Sequence, residues 1–279
     1  MIVFEGDYVL NECLEQVYPY ASQILISEGP VKYWQERGRT TSTDKTNDIL
    51  NNFPDPENKI TIVHGQFSEK DEQCNAYIEH MNPDIDYLWN LDSDEVYKRE
   101  DIEKTIEFLK KEKPTSVGVR SLSFYYLTGF ELNRDNFLRI FRVTEGSKWL
   151  THRPPTIQYP KGSDIIKKHI DSNSFYKLTG VQMYHYSYVF PHQVKNKVEY
   201  YKAKVSRHKC IGDYYNKIYL PWMNGEEFDR YQLEKEYQGV HEFKPEYRGA
   251  CYTEPFTGKH PQAIESNLEK LKNRINKEM

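Results

Sequence analysis

No stretch of this sequence approaches the ~18 consecutive apolar residues of a membrane-spanning helix, so no transmembrane segment is expected. Cysteine is scarce and scattered. Cys13, Cys74, Cys210 and Cys251 lie far apart with no CxxC pair, which argues against a disulfide framework or a zinc knuckle. Cys74 is expected to be a small buried apolar residue. Charge of one sign is lacking too: 38 basic residues face 42 acidic ones for a net −4, unlike the field of a dedicated nucleic-acid binder. No repeat or low-complexity segment occurs. No glycine-rich, lysine-bearing loop near the N-terminus offers to cradle a triphosphate. The opening MIVFEGDYVL lacks a basic n-region and is broken by Glu5 and Asp7, so it is not expected to be a signal peptide, and the expected location is cytoplasmic.

What is present is length and aromatic surface. At 279 residues the chain accommodates one large domain, or one domain with a small appendage, around a substantial core. Mean hydropathy is −0.84, yet 23 tyrosines and 13 phenylalanines supply packing area. Tyrosine adds a polar tip, which suits a carbohydrate cleft or wet interface as well as an ordinary core. The second half is richer in lysine and histidine, a leaning toward an anionic acceptor or a membrane surface.

The first half alternates short apolar runs with helical patterns, the signature of an α/β domain with a mainly parallel sheet. Strands are predicted at Ile2–Phe4, Gln23–Ser27, Lys59–His64 and Asp86–Leu91, and helices at Tyr8–Tyr18, after Ser68, and at Asp101–Lys111. The Ser68 helix carries a partial capping box with Asp71, and Cys74, Tyr77, Ile78 and Met81 share one apolar face. After Pro114 the strand-like runs Ser116–Leu127, Leu138–Val143 and Val181–Val189 suggest antiparallel or mixed pairing. His192–Ser206 and a segment bearing Ile264, Leu268, Leu271 and Ile275 read as helices, and residues 212–260 mostly as loops and short elements. No linker divides independent domains.

Ligands of open α/β sheets bind beyond the carboxyl ends of the strands. There the sequence places Glu5-Gly6, Glu28-Gly29, Gly65-Gln66 and Asp92-Ser93-Asp94-Glu95. WNLDSDE (89–95) is the strongest element. Two carboxylates one residue apart at the end of an apolar strand can face one ion, and oxygen ligands suit Mg²⁺ or Mn²⁺ bridging nucleotide phosphates. The alternative is a solvated turn before the helix at Asp101. In MYHYSYVFPHQVKNKVEYYKAKV (183–205) an aromatic strand carries His185 ahead of a basic helix. His185 is either a satisfied core histidine or a third metal ligand through a neutral ring nitrogen, which would favour Mn²⁺.

These segments together resemble the family 2 glycosyltransferases, especially the small soluble enzymes that extend lipopolysaccharide cores. TSTDKT (41–46) is similar to the family's S-x-D-G-T turn, and WNLDSDE to its metal motif. LRIFRVTEGSKWLTHRPP (138–155) is similar to the stretch from R-x-F-R to G-x-x-W-x-G-x-V-H-E, and MYHYSYVFPHQVKNKVEYY to the H-Y-S-Y segment and its helix. The likeness covers about residues 1–205. It implies an α/β fold of the GT-A kind, with a nucleotide-binding half at about 1–113 and an acceptor half at about 114–205. Residues 206–279 would be loops and a helix on the same domain.

Carried over by position, Asp92, Asp94 and His185 would form the metal site, with Asp92 and Ser93 also at the donor. Glu28 would stand for the acid that holds base or ribose, and Glu5, Asp44, Gln73 and Asn75 would complete the nucleotide-sugar site. Trp149, Arg153 and Tyr186 would serve the acceptor. The resemblance implies a Mn²⁺- or Mg²⁺-dependent, inverting transfer from a nucleotide-sugar, by default a UDP-sugar, to a saccharide or glycoconjugate. Two departures stand out. ISEG and STDKT, adjacent in the family, are a dozen residues apart here, and Glu28-Gly29 also resembles family 17. The V-H-E glutamate is replaced, since Arg153 and two prolines follow His152. An inverting transferase needs a base, for which His152, Glu131 and Asp135 are the candidates. A nucleotidyltransferase and a non-catalytic sugar- or nucleotide-binding module are the competing readings.

Overall fold

The computed structural model describes residues 1–204 and 209–279, with the side chains of 132–136 outside the description. Along the first part of the chain run β1 (Ile2–Val3), α1 (Leu10–Val17), β2 (Ile24–Glu28), α2 (Lys32–Gln35), α3 (Thr46–Asn52), β3 (Ile60–His64) and α4 (Lys70–Ile78). Next come β4 (Tyr87–Trp89), β5 (Glu95–Val96), α5 (Arg99–Glu112), β6 (Ser116–Tyr125), β7 (Gly129–Arg142), β8 (Lys148–His152) and β9 (Pro155–Gln158). The rest comprises β10 (His169–Ile170), α6 (Ser172–Thr179), β11 (Gln182–Tyr188), α7 (Pro191–Lys204), α8 (Leu220–Asn224), α9 (Glu227–Tyr237), α10 (Pro245–Arg248), β12 (Glu254–Pro255) and α11 (Gln262–Glu278). Val205 and Ser206, expected to extend α7, lie outside the described residues.

The chain forms two compact units. The first comprises 1–121, 134–183 and 260–264; the second comprises 122–133, 184–259 and 265–279. Strands β6, β7 and β11 each contribute residues to both.

In the first unit β1, β2 and β3 form a parallel sheet, registered as Val3 beside Glu28 and Glu28 beside His64. All five residues of β2 are buried, as an apolar central strand of a parallel sheet should be. Helix α4 covers this sheet with the face foreseen from its periodicity: Cys74, Tyr77 and Ile78 pack with Ile2, Leu25, Phe141 and Trp149, and Met81 lies against the cluster. Its cap differs from expectation. Ser68 N–H and Oγ–H both go to Glu72, while Asp71 accepts the His152 backbone N–H. Helix α5 ends as predicted, with Lys110 and Lys111 in its last turn and Lys113 in the left-handed region before Pro114, where cations favour the carboxyl end of the dipole.

The fourth predicted strand is present but pairs differently. β4 runs antiparallel to β7, with Leu88 beside Phe141 and Trp89 beside Ile140, in a mixed sheet ordered β12-β7-β6-β11-β5. An apolar tripeptide says nothing of its partner; the long β7 supplies the complementary edge.

The second unit is built from aromatics. Tyr125, Tyr188, Tyr214, Tyr219 and Trp222 pack with Val194, Val198, Ile218 and Val240, each large side chain worth about 1.5–3 kcal/mol on burial. Their polar tips are satisfied inside: Tyr214 Oη donates to the Val240 carbonyl at 2.6 Å and Tyr219 Oη to that of Val189 at 3.1 Å. Residues 212–260, expected as loops and short elements, hold the short helices α8 and α10 and the longer α9. A π-helical turn, Tyr215–Tyr219, leads into α8, and Glu226 and Asp229 form a capping box at α9. α9 has little apolar periodicity; it is anchored by Glu234, which accepts from Trp222 Nε1 at 2.8 Å and from Thr253 N at 2.8 Å.

Candidate active site

The carboxyl ends of β1 and β2 meet the TSTDKT turn in one hydrogen-bonded knot. Ser42 Oγ donates to Glu28 Oε1 at 2.6 Å and accepts the Glu5 N–H at 3.0 Å. Glu5 Oε1 in turn accepts from Thr43 N at 3.0 Å and Thr43 Oγ1 at 2.9 Å, with the Arg39 guanidinium 3.3 Å away. Gly6 N–H goes to Thr46 Oγ1 at 2.8 Å and Asp7 N–H to Asp44 Oδ2 at 3.1 Å. The carboxylates of Asp7 and Asp44 approach within 4.8 Å, near enough to share a cation. Burial, followed by the negative charge of Asp7, lifts the Asp44 carboxyl above its ordinary range against the hydrogen bonds of Thr46. A Cβ on Gly6 would fall 2.7 Å from Ser93 Oγ, so only glycine lets the DSDE turn lie this close to the end of β1. Glu5, Glu28, Asp44 and Ser93 thus converge.

Between β4 and β5 the chain turns through Asp92-Ser93-Asp94-Glu95. The turn is closed by Glu95 N–H on the Asp92 carbonyl at 3.1 Å and held by Arg139 of β7. Arg139 Nη2 pairs with buried Glu95 and lies 3.2 Å from Asp92 Oδ2. Burial alone would weaken the guanidinium's hold on its proton, but Glu95 and Asp92 more than offset it and the pKa rises. Burial likewise works against ionisation of Asp92, but Arg139 beside it keeps that carboxyl below the usual range. The turn therefore holds a negative charge with Asp92 one-third exposed and Asp94 only 8 % exposed. Asp92 and Asp94 flank Ser93 in this turn, and carboxylate oxygens are the donor type that suits Mg²⁺ or Mn²⁺. The pairing of Arg139 with Glu95 is a long-range register effect, set by β4 lying against β7, with no local signal in the sequence.

Several candidates serve the scaffold instead. Gln73 is buried, and its Nε2 sits 3.3, 3.0 and 3.1 Å from the carbonyls of Val3, Ser27 and Gly29, tying β1 to β2. Asn75 exchanges two hydrogen bonds with the backbone of Trp149, at 3.0 and 2.9 Å. Trp149 is 3 % exposed, edge-on to Phe141 in the core, so its ring is not presented to a sugar. His152 is also buried, with Nδ1 3.6 Å from Cys74 Sγ. Burial, then the positive charges of Lys70, Arg153 and Arg139, push the imidazole down to about 3 against the pull of Asp92. Burial pushes the Cys74 thiol up to about 12, which makes this a neutral contact without a nucleophile. Arg153 is exposed beside it.

Glu131, His185 and Tyr186 belong to the second unit. Glu131 is buried and pairs with Arg248 at 2.9 Å. Tyr186 is fully buried and stacks on Phe124 at 5.0 Å, a core role in place of the expected sugar platform. His185 is half-buried on β11. Asp135 lies among the residues whose side chains are outside the description.

A cavity of about 570 Å³ opens at the ends of β2 and β3. Glu28, His64, Gly65 and Gln66 line it from the strand ends, Asn47 and Asn51 from α3, and Thr40 and Thr41 from the loop between. Of these, Thr41 belongs to the TSTDKT segment, whereas His64 and Thr40 carry no sequence signal for this position. The segment separating ISEG from TSTDKT forms α2, which buries Tyr33 and Trp34 and stacks Arg39 4.3 Å over Trp34.

Among known proteins, the glycosyl transferase family 2 profile matches residues 40–179, half of the chain, from the loop before TSTDKT through α6. Of solved structures, the crystal structure of S. aureus TarS 1–349 is similar with a TM-score of 0.40 and 11 % identity, over 85 % of this chain and 77 % of that one. No curated protein matches by sequence.

Proposed function

The chain belongs to glycosyl transferase family 2 and is a glycosyltransferase of the α/β, GT-A kind, and on that premise we propose that it moves a sugar from a UDP-sugar to a saccharide or glycoconjugate hydroxyl with inversion. Residues at about 1–113 serve the donor in this reading, and those at about 114–205 the acceptor. The observation that carries it is the Arg139-braced DSDE turn set against Gly6 at the end of β1, inside the segment that the family profile matches.

Asp92 and Asp94 would hold a divalent cation, Mn²⁺ or Mg²⁺. When bound, such an ion supplies positive charge for a departing diphosphate. The chain's own residues do the rest. Arg139 fixes the turn and keeps Asp92 ionised, so the donor site is preorganised and need not rearrange on binding. The Glu5–Ser42–Glu28 knot fixes the floor on which a nucleoside would rest.

Proton removal from the acceptor is not given to His152, whose imidazole is too weak a base. Nor is it given to Glu131, whose carboxylate is committed to Arg248. Asp135 takes that role in the proposal. Transfer from UDP-sugars in the presence of Mn²⁺ or Mg²⁺ tests the reading: Asp94→Ala and Asp135→Asn should each abolish turnover, and a fully active Asp94→Ala protein would refute it.

A further inference from the structure

Glu28 and His64 are register partners at the carboxyl ends of β2 and β3, where side chains of adjacent strands meet. Both Glu28 oxygens are engaged. Oε1 accepts from Ser42 Oγ at 2.6 Å, and Oε2 lies 3.1 Å from His64 Nδ1. Glu28 is 4 % exposed, whereas 53 % of the His64 side chain is open at the cavity. The acid that resemblance casts as the holder of base or ribose is thus covered, and a histidine stands in front of it. Of the two neutral tautomers of His64, a hydrogen bond from Nδ1 to this carboxylate selects the one whose Nε2 is an acceptor. In the same cavity Asn47 Oδ1 is buried with no hydrogen-bond partner among the described residues.

We propose that His64, oriented by Glu28, reads the nucleobase of the donor and selects a lactam base, one whose ring nitrogen bears hydrogen, over cytosine. The proposal rests on the nucleotide-sugar reading above and names the half of the donor that this cavity takes. Uracil, thymine and guanine offer a ring N–H to Nε2. Cytosine offers a bare ring nitrogen, which would set two lone pairs against each other. Glu28 is a positioning residue, acting through the tautomer it imposes on His64. Thr40 and Thr41 bring the wall that the inserted segment adds.

Isothermal titration of UDP, GDP and CDP into the intact protein with Mg²⁺ tests this, using wild type, His64→Ala, His64→Gln and Glu28→Gln. Wild type should bind UDP or GDP at least about tenfold more tightly than CDP, as expected for a matched against a mismatched buried hydrogen bond. His64→Ala should abolish the preference by weakening the lactam nucleotide and leaving CDP unchanged. His64→Gln should narrow it, because an amide presents either a donor or an acceptor. Glu28→Gln should narrow it as well by freeing the tautomer, a change in ratio that a purely structural role would not produce. Tighter binding of CDP, or a preference untouched in both His64 variants, overturns the proposal while leaving the transferase reading intact. Failure of wild type to bind any of the three overturns both.

Discussion

Arg139 and Glu95 form a buried ion pair, the guanidinium 8 % and the carboxylate 0 % exposed, and the same Nη2 also reaches Asp92. Removing one partner strands the other's charge in the interior. Arg139→Ala should therefore cost about 3–5 kcal/mol in urea unfolding. Replacing both, as Arg139→Met with Glu95→Leu, should recover much of that stability without restoring metal-dependent nucleotide binding, because Asp92 loses its brace. A double variant that binds nucleotide normally would show that the brace is dispensable.

His152 predicts a dependence of stability on pH. Its folded pKa is pushed down to about 3 from the usual 6.5, so the unfolded state binds the extra proton first. The resulting stabilisation is fully present above pH ~6.5 and is lost progressively as pH falls toward the folded value, at up to about 1.4 kcal/mol per pH unit from this group. His152→Gln should flatten the curve of unfolding free energy between pH 6.5 and 4. An unchanged slope would mean that the imidazole is not buried neutral.

Gly29 adopts φ +144°, and a Cβ there would fall 1.8 Å from the Gly65 carbonyl oxygen. Neither backbone can yield, since Gly65 N–H is bonded to the Glu28 carbonyl at 3.0 Å. Gly29→Ala should destabilise by about 3 kcal/mol or more, read as a lowered urea midpoint, and should weaken nucleotide binding by displacing Glu28 and Gly65. Tolerance of alanine at this position would contradict the described packing of β2 against β3.

Trp149 separates core from cleft. Its ring packs on Phe141, so Trp149→Ala should cost about 3–5 kcal/mol of stability. At temperatures where the variant stays folded, the KM for acceptor should be unchanged. A raised KM with unaltered stability would return this residue to the sugar-binding role expected from sequence.

The elements that sequence reasoning reached share a cause. The α4 face and the buried β2 are periodic over several residues, and the DSDE turn follows an apolar strand, so each announces itself locally. What was missed depends on partners distant in the chain. Arg139 meets Glu95 only because β4 aligns with β7, and His64 meets Glu28 only through the register of β2 and β3. Helix α9 lacks an apolar stripe; it is fixed by contacts such as Trp222 and Thr253 on Glu234, which composition does not reveal. Tyrosine suits a cleft as well as a core, and here Tyr77, Tyr125 and Tyr186 are fully buried.

In the proposed reading Asp92 and Asp94 hold the cation that binds a nucleotide donor. Thermal shift with UDP, GDP, CDP and dTDP, with and without Mn²⁺, on wild type and Asp94→Ala tests it most directly. Stabilisation by one class of nucleotide is expected, requiring the metal and disappearing in the variant, with the variant's Tm otherwise near wild type. Equal, metal-independent shifts in both proteins, or none in wild type, would contradict it.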